Sequence, residues 1–127
     1  MNELAEFTEA CIEALYFTDT GEGEQPPVDA ELSEDTRLDL EADCRSFWRR
    51  YGCFITTKSC ADYWSVRNCV HSLPQQAGHD FWLTRNGHGA GFWDGDWPAC
   101  YEDMFTKGSE CYGTFETYLG DDGLIWA

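Results

Sequence analysis

The sequence predicts an α+β fold in which a helical N-terminal half packs on a small antiparallel β-sheet of three to four strands. Apolar residues recur at helical spacing in residues 1–72, whereas residues 73–127 contain alternating aromatic runs and glycine-rich turns. A length of 127 residues suits one domain, and an aromatic fraction of 16% suits a packed core. We therefore expect a single domain, with an acidic helical part at 1–72 and a β part at 73–127.

A first helix is predicted from the N-cap residue Asn2 to about Tyr16. Its apolar side chains share one face, and the opposite face carries glutamates only: Glu3, Glu6, Glu9 and Glu13. Surface helices commonly combine glutamate with lysine for mutual support, and this helix has no lysine. The alternative is an ordinary solvated helix face, and the missing lysines count against it.

The next segments are an exposed loop and two further helices. Residues 19–30 combine glycines, two prolines and four acids, which is typical of an extended loop. Ser33 suits the N-cap of a second helix, whose end is predicted at Gly52. A third helix is predicted from residue 56 or 57 to about residue 71, and Pro74 is expected to end it.

The stretch from Gly78 to Asp94, GHDFWLTRNGHGAGFWD, is predicted to form the β-hairpin around which the fold is organised. Residues 80–84 alternate in the manner of a strand, and residues 91–93 form a second aromatic run. Asn86-Gly87 between them favours a tight turn, because both residues tolerate a positive φ. The helices are expected to pack onto this hairpin.

The C-terminal segment is predicted to contain a short helix and a second hairpin. Trp97-Pro98 favours the start of a helix that closes near Gly113, since proline suits the first helical position. Thr114–Leu119 and Leu124–Trp126 are predicted strands, joined by a turn at residues 121–123. With the first hairpin, these strands would complete the sheet.

The formal net charge of −16, from 24 acids and 8 bases, is distributed unevenly. Residues 1–43 hold 14 acids and one base, a balance of −13, and the remaining residues hold 10 acids and 7 bases, a balance of −3. Because phosphates require lysine and arginine, we do not expect direct nucleic-acid binding, and we expect a basic protein partner instead. The predicted partner-binding residues are Glu6, Glu9, Glu13, Asp19, Glu22, Glu24, Asp29, Glu31, Glu34, Asp35 and Asp39.

The N-terminus and the cysteines favour a cytoplasmic location. The first fifteen residues are acidic and lack the positive region of a secretory signal, and no apolar run approaches the ~20 residues that span a bilayer. Seven cysteines are an odd number, which favours reduced, buried thiols over a disulfide framework. We expect a monomer that does not bind membranes and needs no cofactor.

A motif at residues 79–94, HDFWLTRNGHGAGFWD, is followed by Tyr112-Gly113 and by a Gly-Asp-Asp-Gly turn at 120–123. This pattern resembles a family of small phage proteins, which implies a compact α+β fold. With its acidic N-terminal half, the chain is similar to the anionic anti-CRISPR proteins that imitate duplex DNA, and in particular to an inhibitor of type I-C systems. The resemblance implies that the protein occupies the PAM site on the large subunit of a surveillance complex in the host bacterial cytoplasm.

Two other functions stay open at this point. A tight hairpin would bring together His79, Asp80, His88 and Asp94, a ligand set that suits a small metal-dependent hydrolase. The structural alternative is that Asp80, Asn86 and His88 satisfy buried backbone groups within a glycine-rich turn. An acidic phage adaptor for a basic host protein is the second alternative. The chain has no G-x-S-x-G, C-x-x-C, Walker or G-x-G-x-x-G motif, so we expect a protein without enzymatic activity.

Overall fold

The computed structural model describes residues 2–18, 30–67, 72–87, 90–93 and 97–127, with the backbone alone at 63–67. The elements in this part of the chain are α1 Glu3–Phe17, α2 Glu34–Ile55, α3 Lys58–Arg67, α4 Leu73–Arg85, α5 Ala99–Glu110, β1 Tyr118–Leu119 and β2 Ile125–Trp126. The protein is mainly helical with a small antiparallel sheet, so the α+β class is confirmed. The prediction of three to four strands is wrong, because the sheet in the described residues has two.

The first two helices begin where their capping residues predict. The Asn2 side chain accepts a hydrogen bond from the Ala5 N–H at 2.7 Å, and Ser33 Oγ accepts one from the Thr36 N–H at 3.2 Å. The end of α2 differs from the prediction, since the helix continues through Gly52 to Ile55. A Cβ on Gly52 would lie 2.8 Å from the Trp48 ring, so this glycine makes room for an aromatic side chain within the helix.

The predicted hairpin at 78–94 is wrong, because residues up to Arg85 belong to α4. Ser72 and Gln75 form a reciprocal capping box, in which the Gln75 N–H donates to Ser72 Oγ and the Ser72 N–H donates to Gln75 Oε1. Pro74 lies in the first turn of α4, so it helps to begin a helix and does not end the previous one. The turn at Asn86-Gly87 exists, but it follows a helix.

The third helix was predicted to reach about residue 71, and its described part, α3, ends at Arg67. Residues 68–71 lie outside the described part of the chain. The strand-like alternation of residues 80–84 misled the prediction because α4 is buried on most of its surface. Its buried residues include Phe81, Trp82, Thr84 and Arg85, so no single apolar stripe marks the helix.

Helices α1 and α4 cross at close range at Gly78. A Cβ at this position would overlap the Phe7 carbonyl oxygen and would lie 2.9 Å from Ala10 Cβ. The core around this crossing is aromatic, with Phe47 at its centre. The Phe47 ring lies 5.5 Å from the ring of Phe7 and 4.5 Å from that of Phe81.

The C-terminal segment returns to the start of α2. Tyr118 pairs with Trp126 and Leu119 with Ile125, so the predicted strands at 114–119 and 124–126 are each reduced to two residues. The Ile125 N–H donates to the Glu31 carbonyl at 2.8 Å, and the Ser33 N–H donates to the Ile125 carbonyl at 2.9 Å. Because of these bonds, the acidic residues at the start of α2 lie beside the C-terminus of the protein. The predicted helix after Pro98 is confirmed as α5.

The buried Arg85 joins α4, α2 and the segment after α5. Its Nη1 lies 2.9 Å from Asp43 Oδ2, its Nε donates to the Gly113 carbonyl at 2.9 Å, and its Nη2 donates to the Tyr112 carbonyl at 3.1 Å. The guanidinium carbon lies 5.2–5.7 Å from the centres of three aromatic rings: Phe81, Tyr112 and Phe115. One of the eight bases is therefore committed to the core.

Candidate partner-binding surface

The described residues include seven of the eleven carboxylates that the sequence predicts for partner binding: Glu6, Glu9, Glu13, Glu31, Glu34, Asp35 and Asp39. The other four belong to the acidic loop and lie outside the described residues: Asp19, Glu22, Glu24 and Asp29. The described ones fall into two groups, three on α1 and four on the segment that enters α2 and on its first turns.

The α1 glutamates face solvent to different degrees. Glu9 and Glu13 are exposed, whereas Glu6 is half-buried and accepts a hydrogen bond from Ser72 Oγ at 3.2 Å. Glu13 Oε1 lies 3.8 Å from His79 Nε2 on α4, and this contact is an ion pair only when the histidine is protonated. Glu6 therefore helps to hold the start of α4 against α1, and Glu9 is the most available of the three.

The second group lies at the start of α2, and all four of its carboxylates are exposed: Glu31, Glu34, Asp35 and Asp39. Glu34 and Asp35 occupy the first turn, where the positive end of the helix dipole stabilises them. The backbone of Glu31 is fixed by its bond to Ile125, so the direction of this short segment is set by the C-terminal strand. The backbone that carries these four carboxylates is therefore held by α2 and by the hydrogen bond to Ile125.

None of these seven carboxylates lies within 4.0 Å of a lysine or arginine nitrogen in the described part of the chain. The ion pairs with lysine or arginine in that part involve other acids: Asp43 with Arg85, Asp62 with Lys58, and Asp103 with Lys107. Both groups are therefore available to cations of another molecule.

A shallow groove of about 290 Å³ separates the start of α1 from the middle of α2. Its lining includes Thr8 and Glu9 from α1, and Glu41 and Arg45 from α2. Because Arg45 lines the groove beside Glu9 and Glu41, the negative surface is interrupted here. The groove can accept a polar group that carries a positive charge toward the glutamates.

The second half of α2 presents exposed side chains that the predicted partner-binding set does not include. Arg45, Arg49 and Arg50 are all exposed, and Leu38 in the first half is 55% exposed. The sequence itself indicates that these four side chains are exposed, because they lie outside the apolar stripe of the helix. That stripe consists of Leu40, Cys44, Phe47 and Tyr51. Apart from Arg37, the exposed charges of α2 are therefore acidic near its start and basic in its second half.

The residues of the alternative hydrolase site are not brought together in the described structure. Asp80 is buried and accepts hydrogen bonds from Trp97 Nε1 at 2.7 Å and from Gln76 Nε2 at 3.1 Å, so its carboxylate serves the core. His79 lies beside Glu13, while His88 and Asp94 lie outside the described residues. No group of three potential metal ligands occurs among the residues described.

The described cysteines divide evenly between core and surface. Cys11, Cys44 and Cys60 are buried, and three others are exposed free thiols: Cys53, Cys100 and Cys111. Burial raises the pKa of the Cys11 thiol well above its usual value and also raises the pKa of Cys60. The expectation of buried thiols therefore holds for three cysteines, and Cys69 lies outside the described residues.

No family model, curated protein or solved structure matches this chain. The resemblance to phage anti-CRISPR proteins therefore stays a prediction that rests on the sequence motif and the charge. No described helix is both long enough and apolar enough to cross a membrane.

Proposed function

We propose that this protein is a non-enzymatic anionic inhibitor that occupies a basic, nucleic-acid-binding surface of another protein. One observation carries the proposal: the seven described carboxylates of the predicted partner-binding set have no lysine or arginine ion-pair partner among the described residues. An acidic surface without internal partners retains its attraction for the cations of another molecule.

The expected binding mechanism has a long-range part and a contact part. A net charge of −16 speeds the approach to a basic surface, and the rate falls as salt screens the attraction. On contact, carboxylates form charge-assisted hydrogen bonds with side chains that otherwise hold phosphates. Each exposed pair contributes only about 0–1 kcal/mol, so affinity has to come from many pairs together.

The partner that we propose is the large subunit of a type I CRISPR surveillance complex, at the site that reads the PAM. The support for this choice is the sequence resemblance to anti-CRISPR proteins, together with the charge asymmetry of the chain. A PAM-reading site has to hold both DNA phosphates and base edges, so it presents the lysines and arginines that the acidic half requires. Binding there would exclude DNA by occupying its place.

Charge reversal with a matched control tests this proposal. The test variant replaces Glu9, Glu31 and Asp39 by lysine, three exposed positions that make no capping bond. The control replaces three exposed acids of the C-terminal half by lysine, with the same change in net charge: Glu110, Glu116 and Asp121. We expect the test variant to lose binding to the complex and protection of phage, while the control retains most of both.

Two results would count against the proposal. If both triple variants weaken binding equally, net charge decides the interaction and the acidic half is not the site. If neither weakens binding, the inhibitor uses another surface. Unchanged thermal unfolding of both variants would show that the comparison reports on binding and not on folding.

A further inference from the structure

Apart from the exposed Arg37, the exposed charges of α2 are separated by sign along the helix. The first half presents Glu34, Asp35 and Asp39, and the second half presents Arg45, Arg49 and Arg50. All six side chains are exposed, and none forms an ion pair among the described residues. One helix face thus holds three acids and three bases without ion-pair partners in the part of the chain that the structure describes.

The six positions are symmetric about one residue, Ala42. Asp39 and Arg45 lie three residues from it on either side, Asp35 and Arg49 seven, and Glu34 and Arg50 eight. Every acid therefore has an arginine at the same distance on the other side of the centre. Ala42 itself is exposed and small, so a second helix can approach closely at this point.

The helix dipole explains only part of this pattern. It favours acids in the first turn, which accounts for Glu34 and Asp35. It also favours bases in the last turn, but the last turn of α2 has none, because the helix continues beyond Arg50 to Ile55. The position of the arginines thus requires another explanation.

We propose that two copies of this chain associate through the exposed faces of α2, with the two helices antiparallel and a twofold axis at Ala42. In this arrangement residues at mirror positions lie at the same level along the helix axis, so Asp35 meets Arg49 at the centre of the seam and Asp39 reaches Arg45 across it, while Glu34 and Arg50 lie at its edges. Twofold symmetry makes every pair occur twice. A parallel arrangement would instead bring like charges together.

Two further features suit this interface. Leu38, which is 55% exposed, lies four residues before Ala42 and so faces the partner copy at the position of Ser46, which removes apolar surface from water. The residues of α2 include five acids and four arginines, so the helix carries a charge of −1 while the whole chain carries −16. Two copies that meet through α2 therefore bring together helices that are almost neutral.

The dimer would cover Glu34, Asp35 and Asp39, which also belong to the proposed partner-binding surface. Self-association and partner binding would then compete at α2, while the glutamates of α1 stay accessible. This inference does not depend on the identity of the partner, because it concerns the purified chain alone. The expectation of a monomer from the sequence would apply at low concentration.

Sedimentation equilibrium of the purified protein in about 0.15 M salt, with loading concentrations from about 10 to 300 µM, tests the inference. The average mass is expected to rise from the monomer value of 14.5 kDa toward twice that value. An acid-reversed variant, E34K/D35K/D39K, and a base-reversed variant, R45E/R49E/R50E, should each weaken self-association at least about tenfold. An equimolar mixture of the two should form a heterodimer, because the two altered faces are complementary.

The control is the triple variant E110K/E116K/D121K, which makes the same charge change away from α2 and should associate at least as well as the original chain. If reversal near the helix start impairs folding, Ala42→Glu places two like charges at the centre of the interface without altering the core. A wild-type mass that stays at 14.5 kDa throughout, or a variant mixture that stays monomeric, would overturn the inference.

Discussion

Replacement of Arg85 by alanine should lower the free energy of unfolding by about 3–5 kcal/mol, the range for breaking a buried ion pair. The guanidinium is almost fully buried, and three of its nitrogens contact Asp43 and the carbonyls of Tyr112 and Gly113. Its loss would leave both carbonyls without these donors and would leave a gap among the surrounding rings. The segment after α5 would then lose its main polar attachment to α4.

The magnitude follows from the individual contacts. A hydrogen bond from a charged donor is worth about 1.5–3 kcal/mol, and Arg85 makes two to backbone carbonyls. The Asp43 side chain keeps 33% of its exposure, so water compensates part of the loss of the ion pair. Arg85→Lys keeps the charge but lacks the planar guanidinium with its several donors. We therefore expect it to lower the free energy of unfolding by about half as much as Arg85→Ala.

Urea unfolding, followed by tryptophan fluorescence, measures these losses. Arg50→Ala is the control, since Arg50 is exposed and without an ion pair in the described structure, and it should change stability by less than about 0.5 kcal/mol. A double-mutant cycle with Asp43→Ala isolates the ion pair. A loss below about 1 kcal/mol for Arg85→Ala would show that Arg85 does not hold the C-terminal segment in place.

Three further predictions concern other parts of the molecule. Gly78→Ala should destabilise the protein by about 2 kcal/mol or more in the same urea assay, because the added Cβ overlaps the Phe7 carbonyl, while exposed Ser59→Ala should be nearly neutral. The Leu124 N–H, followed by the Trp126 indole, holds the pKa of Asp122 below its ordinary value of 3.8. The ionised Asp122 carboxylate therefore stabilises the fold above pH 3.8, and this stabilisation is lost as the pH falls through the lowered pKa. An NMR titration of Asp122 would measure the lowered pKa, and Asp122→Asn would remove this pH dependence of stability. Mass spectrometry after brief alkylation should find the exposed thiols modified well before the buried ones. The exposed thiols are Cys53, Cys100 and Cys111, and the buried ones are Cys11, Cys44 and Cys60. Equal alkylation rates for the two groups would contradict the packing.

The sequence was most informative where a capping residue preceded a regular apolar stripe. Asn2 and Ser33 identified the starts of α1 and α2 because their side chains bond the first free N–H groups. Ser72, Pro74 and Gln75 mark the start of α4 by the same logic, but the alternation after Gly78 favours a strand. A helix buried on most sides has no amphipathic period, so local pattern alone cannot separate it from a strand.

The candidate surface was predictable in composition but not in arrangement. Charge counting placed most of the acids in the first 43 residues, and three acids of α2 are exposed: Glu34, Asp35 and Asp39. The roles of individual acids depend on tertiary contacts: Glu6 bonds Ser72 across 66 positions, and Asp43 pairs with the buried Arg85. Such pairings join residues far apart in the chain, and no local spacing rule predicts them.

The central claim is that the acidic half occupies a site that otherwise holds DNA. Equilibrium competition, with the surveillance complex held at constant concentration and labelled PAM-containing duplex displaced by increasing protein, tests this claim most directly. Mutually exclusive binding is expected, with an affinity for the protein that falls steeply as salt increases. A ternary assembly of complex, duplex and protein would contradict the claim and would favour an adaptor that binds elsewhere on a basic host protein.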